Sequence, residues 1–442
     1  MPDIRPHRLS REDIDRNFSD LHPPLRRSEA LIEADRCYFC FDAPCTTACP
    51  TGIDIPVFIQ KIRSGNIRGS AQTILNENIM GGMCARVCPT EVLCEEACVR
   101  NTHEDKPVEI GLLQRYATDP AFENDTQLFS RAETSGKKVA VVGGGPAGLS
   151  CAHRLAMLGH DVVIYNRDDK LGGLNEYGIA AYKTVNDFAQ REVEYILSIG
   201  GIEVRSGTSL GEDITLSDLT KEYDAVFVGV GLGDVNALSI EGEDLPGVEN
   251  AIDYISELRQ ADDKTALPVG RKVVVIGGGM TAIDVAVQSK RLGAELVDLV
   301  YRRGVAQMGA SAFEQELAQT NGVTIHHLAQ PLRVLGTDSA EGVKFEKTVL
   351  DESGALKGTG DTFTLDADIV FKAIGQRLKD DVLDDGSLKM DKGKIIVNDH
   401  QETSLPGVWA GGDCVVGGDD LTVSAVQHGK VAAMAIDRHL RT

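Results

Sequence analysis

Eight of the ten cysteines fall between Cys37 and Cys98, in two groups. The first runs Cys37, Cys40, Cys45 and Cys49-Pro50, a C-x2-C-x4-C-x3-C-P spacing. The second holds Cys84, Cys88-Pro89, Cys94 and Cys98. Thiolates are soft ligands that suit iron in both oxidation states. A cysteine followed by proline that completes a second cluster is a ferredoxin habit, whereas zinc takes compact sets of four. Two iron–sulfur clusters are therefore expected, with zinc as the alternative, and spacing alone does not say which cysteines share a cluster. Cys151 and Cys414 stand alone in apolar or glycine-rich stretches and are expected in the core.

Two glycine turns supply the second chemistry. KKVAVVGGGPAGLSCAHRLAMLGHDVVIYNR, from Lys137, reads as strand, turn, helix and strand. Gly143, Gly145 and Gly148 would give the tight bend, the approach to a pyrophosphate and close helix packing, with Pro146, Ala147 and Leu149 opening the helix whose N-terminus faces the anion. Asn166 stands where an acidic ribose ligand is usual. The pattern returns at Arg271 in RKVVVIGGGMTAIDVAVQSKRLGAELVDLVYRR, where Gly277, Gly279, Met280, Thr281 and Ala282 make a GxGxxA variant. Its second strand ends in Arg302 and Arg303 with no carboxylate. Those guanidinium groups could pair with a 2′-phosphate, which leans toward NADPH; solvated arginines at a strand end are the alternative.

Two nucleotide units and two clusters define a redox sequence. NAD(P)H releases electrons as hydride, clusters carry them one at a time, and a flavin bridges the two regimes, so FAD is expected in one unit and NAD(P)H in the other. No acid–nucleophile pair asks for a further substrate site, and no catalytic side chain is assigned. His103, His153, His326, His327 and His428 are expected to be core or surface residues.

The elements that must position these residues follow from the texture of the 442-residue chain. Before about residue 135, apolar residues recur at helical spacing in LSREDIDRNF, SEALIEADRC, PVFIQKIRSG and SAQTILNENI, broken by proline and glycine. The expected fold is α/β: an N-terminal α-helical iron–sulfur domain (1–135) and two Rossmann-like domains. The FAD-binding domain comprises 136–250 and 376–442, with the NAD(P)-binding domain, 251–375, inserted in it. A formal charge of −22 argues against nucleic acid and anionic membrane partners. No signal peptide or membrane span is evident, and a cytoplasmic protein is expected.

The stretches RCYFCFDAPCTTACP, ARVCPTEVLCEEAC, VGGGPAGLS, LGGLNEYGI, GGGMTAIDVA, FKAIG and WAGGDC together resemble the electron-input subunits of bacterial NAD-dependent dihydropyrimidine dehydrogenases. They are also similar to the glutamate synthase small subunit, though DAPC and VCPTEVLC favour the former. The resemblance implies one 4Fe-4S cluster on Cys37, Cys40, Cys45 and Cys98. It implies a second on Cys49, Cys88, Cys94 and Gln114, with Cys84 as the rival eighth ligand. It further implies that Gly173 and Leu174 line the flavin ring region, that Gly412 and Asp413 meet its ribityl and diphosphate, and that Ala373, Ile374 and Gly375 sit near the nicotinamide. Two departures are Asn166 and the segment GIAAYK, with Lys183 at a cofactor-side position where arginine is common. The chain ends at Thr442 without further βα repeats. The implied partner is therefore an FMN-containing catalytic subunit that reduces uracil or thymine, in a heterotetramer of two copies each; a glutamate synthase is the alternative, and a redox sensor without turnover a third reading.

Overall fold

The computed structural model describes residues 4–124, 126–351, 354–379, 383 and 388–442. Among the described residues no strand precedes Lys138; that part of the chain is helices and turns. The helix Ile55–Arg63 shows why. Asp54 caps it by accepting the Val57 N–H at 3.2 Å, and Ile55, Phe58, Ile59 and Ile62, at helical spacing, are buried. Burying each such side chain stabilises by about 1.5–3 kcal/mol. Gly65, at φ +78°, ends the turn, and Asn66 caps the next helix, Ile67–Glu77. With Ala30, Ala34, Leu113 and Ala117 these residues form a small core against which Cys37, Cys45, Cys49, Cys94 and Cys98 are packed.

The chain divides into two compact units. One contains 22–176, 186–234 and 377–442. Its sheet is five parallel strands in the order Val408–Ala410, Ala225–Val228, Lys138–Val142, Asp161–Tyr165, Ile202–Arg205. The C-terminal helix Thr422–Arg441 lies on the helix Pro146–Met157. Gly429 permits that approach, since a Cβ there would stand 2.1 Å from the Ala147 carbonyl oxygen. From residue 22 onward, the helical N-terminal segment packs within this same unit. Glu192, on the helix Phe188–Leu197, accepts the N–H groups of Gly82 (2.9 Å) and Met83 (3.0 Å) at the start of the helix Gly81–Val87.

The other unit contains 1–21, 177–185 and 235–376. Its parallel sheet has the order Val248–Asn250, Ile369–Ala373, Lys272–Gly277, Leu296–Tyr301, Thr324–His327. An antiparallel ribbon of Ala329–Leu335, Gly342–Leu350 and Leu356–Asp366 follows. The second nucleotide unit is thus inserted in the first, as the sequence implied, but packing divides the chain elsewhere than at residues 135 and 250. The helix Arg11–Asn17 and Phe18 belong with the inserted unit, because Ile14 and Phe18 fill its core and Asn17 and Arg291 exchange hydrogen bonds through their carbonyls. Residues 248–250 join it as an edge strand.

Burial pushes the Glu192 carboxyl up to about 8, against an ordinary 4.5. The folded state therefore holds this proton more tightly than the unfolded chain. Its contribution is full below pH 4.5 and declines as pH rises through about 8. The thermal midpoint should fall across that window, and Glu192→Gln, which still accepts both N–H groups, should flatten the fall and raise stability at its alkaline end; an unchanged slope would remove Glu192 as its source.

Candidate functional site

The eight clustered thiols sort into two neighbourhoods. Cys37 is close enough to Cys40 and Cys98 to sense their charges, and Cys45 senses Cys37 and Cys98. Cys88 shares a hydrogen bond with Cys84 and senses Cys94 and Cys49, while Cys94 senses Cys49 and, across the gap, Cys45. The two sets therefore adjoin. Burial pushes the Cys45 thiol up to about 11, and burial chiefly raises Cys37 and Cys94. The Cys84 bond and then burial hold Cys88 well above the usual thiol range. Buried thiols that resist ionisation are a donor set that a cationic iron centre stabilises by displacing their protons. Among the described residues no three His, Cys, Asp or Glu converge tightly enough for a single metal ion; a four-iron cube spreads its thiolates further apart. N–H groups of Phe39 and Val108 lie against the sulfurs of Cys37 (3.4 Å) and Cys98 (3.5 Å), contacts of the kind that tune cluster potentials.

Cys84 adjoins Cys88 of the second set, and Gln114 is bonded to the start of the helix that carries Cys84. Cys84 is buried on the helix Gly81–Val87. Gln114, buried on Ile110–Glu123, donates its amide N–H to the Gly81 carbonyl at 2.7 Å, so that its amide oxygen is the atom that could serve as a ligand.

In the first nucleotide unit, residues 143–149, Asn166, Gly173, Leu174, Gly412 and Asp413 gather at the carboxyl ends of the strands. A Cβ on Gly148 would lie 1.9 Å from the Gly143 carbonyl oxygen, so the turn tolerates none. The helix Pro146–Met157 has no side-chain cap, and the space above Gly145 is open enough that a Cβ would meet only the Gly173 Cα at 3.8 Å. Bare N–H groups and an open backbone fit a diphosphate. Asn166 does more than replace a carboxylate: its Oδ1 accepts the Gly144 N–H (2.9 Å) and its Nδ2 donates to the carbonyls of Asp168 (2.7 Å) and Lys170 (3.1 Å). Both amide hydrogens are thus spent on the loop, and what remains for a ribose is an acceptor lone pair. Gly412 donates its N–H to His428 Nδ1 at 3.2 Å, and burial, then the Asp420 carboxylate, raise Asp413 to about 6.

In the second nucleotide unit, the turn 277–282, Arg302, Arg303 and 373–375 meet at the ends of adjacent strands. A Cβ on Gly277 would stand 2.2 Å from the Ala373 carbonyl oxygen, while one on Gly279, at the uncapped start of the helix Met280–Arg291, would meet nothing within 4 Å. Arg302 and Arg303 are exposed, and among the described residues no carboxylate pairs with either. Their carbonyls accept from Thr348 Oγ1 and the Leu328 N–H, which fixes the backbone beneath them.

Residues 137–429 match the pyridine nucleotide-disulphide oxidoreductase model, and 14–126 match dihydropyrimidine dehydrogenase domain II, a 4Fe-4S cluster domain. The chain belongs to the pyridine nucleotide-disulphide oxidoreductase family. It is 36% identical over 423 residues to the NAD-dependent dihydropyrimidine dehydrogenase subunit PreT of Salmonella typhimurium, covering 96% of this chain and 97% of the relative. To the small chain of Escherichia coli NADPH glutamate synthase it is 35% identical over 443 residues, covering 95% and 93%. Solved structures with the same fold include Mycobacterium tuberculosis FprA in complex with NADPH (TM-score 0.57, 20% identity, 69% of this chain and 85% of that one). Thioredoxin reductase of T. acidophilum is another (TM-score 0.54, 20% identity, 69% and 100%). FAD, NAD(P)H and 4Fe-4S clusters are thus the cofactors of this oxidoreductase, and the residues just described fit them.

Lys183, expected at a cofactor-side position, falls in the unit formed by 1–21, 177–185 and 235–376. It is buried in the inserted unit, its ammonium 2.7 Å from Asp284 and 2.7 Å from Glu314. Burial works to lower its pKa and the two carboxylates more than offset that. Asp284 also accepts the Ala180 N–H at 3.2 Å, and Gln288 accepts that of Ala181 at 2.9 Å, so the segment 177–185 is bound down by buried polar groups. No spacing rule links Lys183 to residues 101 and 131 positions away. His153 is buried beside Phe129 and, pushed down to about 3 chiefly by burial, stays neutral; Cys151 and Cys414 are fully buried, as expected of core residues.

Iron content separates the candidates for the eighth ligand. Cys84→Ser should leave iron content at the parent level and Gln114→Ala should lower it if the glutamine ligates; the reverse pattern would assign Cys84.

Proposed function

We propose that this chain is an electron-input subunit that oxidises NAD(P)H and supplies single electrons to a partner subunit that reduces uracil or thymine to the 5,6-dihydropyrimidine. The observation that carries the reading is the packing of the first nucleotide cradle and both thiol sets into one unit. When bound, FAD takes the hydride pair and the clusters release electrons one at a time. The protein's part is positional. Residues 143–149 and Gly412 hold the flavin diphosphate side, and 277–282 hold the nicotinamide nucleotide in the inserted unit.

Residues beside the second thiol set are hydrogen-bonded to the first nucleotide unit. Met80 Sδ receives the Asn175 amide (3.9 Å), whose oxygen accepts from Thr422 Oγ1 (2.6 Å). Thr51, beside Cys49, accepts Lys430 Nζ of the C-terminal helix on its carbonyl (2.9 Å). We therefore order electron flow from the flavin to Cys49, Cys88 and Cys94 with their eighth ligand, then to Cys37, Cys40, Cys45 and Cys98. PreT relatives are named as subunits, which supports a partner-dependent enzyme. We assign that partner an FMN site and a two-plus-two assembly. Among the described residues no helix is long and apolar enough to cross a membrane, and we place the protein in the cytoplasm, where its reductant is. The 35% identity to a glutamate synthase small chain supports a second acceptor, the large subunit of that enzyme.

Mixed anaerobically with an FMN-bearing pyrimidine subunit, the loaded chain should oxidise NAD(P)H only when uracil is present, and neither subunit should do so alone. Glutamate formation from 2-oxoglutarate and glutamine with a synthase large subunit, and none with uracil, would move the chain to the second reading. Arg302→Ala and Arg303→Ala should raise the KM for NADPH about tenfold or more while leaving that for NADH near parent, as expected for a lost charge-assisted pair with a 2′-phosphate; an unchanged KM for NADPH would return both arginines to the solvated surface.

A further inference from the structure

We propose that Phe41, with Tyr38 and Arg100 beside it, is the anchor by which the electron-accepting subunit docks over the first thiol set. The inference rests on the electron-supply reading above.

Single exposed apolar residues are ordinary, and exposure alone says little. Phe41 differs in its place and in how it is held. Its side chain is 106% exposed, more than any other large apolar residue described, and it follows Cys40 directly in the loop that joins Cys40 to Cys45. Phe39 (φ +53°), just before Cys40, and Ala43 (φ +38°), within the loop, adopt the left-handed backbone that side chains resist. The chain turns so that Phe39 packs toward the helical core, with the Arg63 guanidinium 5.7 Å from its ring, while Phe41 faces solvent. Tyr38, 49% exposed, carries the Arg100 guanidinium 3.9 Å over its ring.

An aromatic tip flanked by a tyrosine and an arginine is the composition that dominates binding energy at protein interfaces. The same helical segment carries charged pairs, Asp35 with Arg63 at 2.6 Å and Arg100 with Glu104. The occupant follows from electron flow. Electrons that enter as a hydride pair must leave singly from this chain, and the bonds toward the first nucleotide unit described above come from Met80 and Thr51, beside the second set, whereas Phe41 follows Cys40 of the first. A partner that receives them has to bring its own one-electron centre against this loop, and an apolar pocket beside that centre is the surface that Phe41 complements. Because the partner buries Phe41 and the docked loop carries ligands of the donor set, affinity and electron delivery are coupled through one side chain.

The test uses the loaded full chain and the FMN-bearing pyrimidine subunit, with binding measured anaerobically and NAD(P)H oxidation followed with uracil and, separately, with a small dye acceptor. Phe41→Ala should weaken association about tenfold or more and lower uracil-dependent turnover at limiting partner, while iron content and dye reduction stay at parent levels. Phe41→Leu should restore most of the affinity. If Phe41→Ala loses iron, Phe41→Gln, of similar reach but polar, carries the comparison. Parent affinity in the iron-replete polar or truncated variant overturns the docking surface and leaves the electron-supply reading standing. A parent chain that binds a glutamate synthase large subunit instead of the pyrimidine subunit sinks the pyrimidine acceptor, and the same variants then decide the anchor against that subunit. A parent chain that associates with neither overturns the docking surface.

Discussion

Charge cannot stay buried here without a compensating charge, and much of this chain is arranged around that constraint. The thiols in the helical segment pack against a small apolar core, where burial raises Cys37, Cys45 and Cys94 and a thiolate alone would be costly. Iron centres supply the missing positive charge, so the cofactor and the core of this segment are parts of one folding problem. The same accounting explains Lys183, whose ammonium is buried only because Asp284 and Glu314 close on it, and His153, which remains neutral.

Glycine turns solve the opposite problem, of bringing a diphosphate's negative charge to a protein whose formal charge is −22. In both nucleotide units the answer is backbone rather than side chain. Uncapped helix starts at Gly145 and Gly279 present N–H groups, and the surrounding close approaches at Gly148 and Gly277 leave no room for a Cβ. This concentrates attraction at the ligand without changing the net repulsion of polyanions elsewhere. At the first turn Asn166 braces the backbone with its amide, and burial and then Asp420 raise Asp413 to about 6.

Packing of the cysteine-bearing helices into the first nucleotide unit turns two chemistries into one path. Glu192 grips the start of the helix that carries Cys84, and Lys430 reaches from the C-terminal helix to the carbonyl beside Cys49. The residues that bind the flavin and those that bind iron are therefore fixed by the same few elements, and movement of one element is felt by both. The loop of Phe41, by contrast, turns that side chain fully to solvent.

Cysteine spacing, two glycine turns after apolar strands and helical periodicity before residue 135 were enough to establish the cofactors, the α/β class and the nested order of the nucleotide units. Each is a local pattern: ligand spacing, turn chemistry and amphipathic period are written within a few residues of one another. What local pattern does not carry is which distant segments share a core. Ile14 and Phe18 read as an ordinary N-terminal helix, yet they complete the inserted unit, and residues 177–185 leave one unit to be bound down in the other by Asp284. Lys183 could be seen in sequence only as a charge near a cofactor motif; the ion pairs that bury it join residues far apart in the chain. Which cysteines share a cluster was open on spacing alone and came only from the family resemblance, because a cluster is assembled by the packing of helices and not by the order of its ligands. Tertiary structure alone decided where Ile14, Phe18 and Lys183 are buried, since the energy of burying a charge depends on what the fold brings beside it.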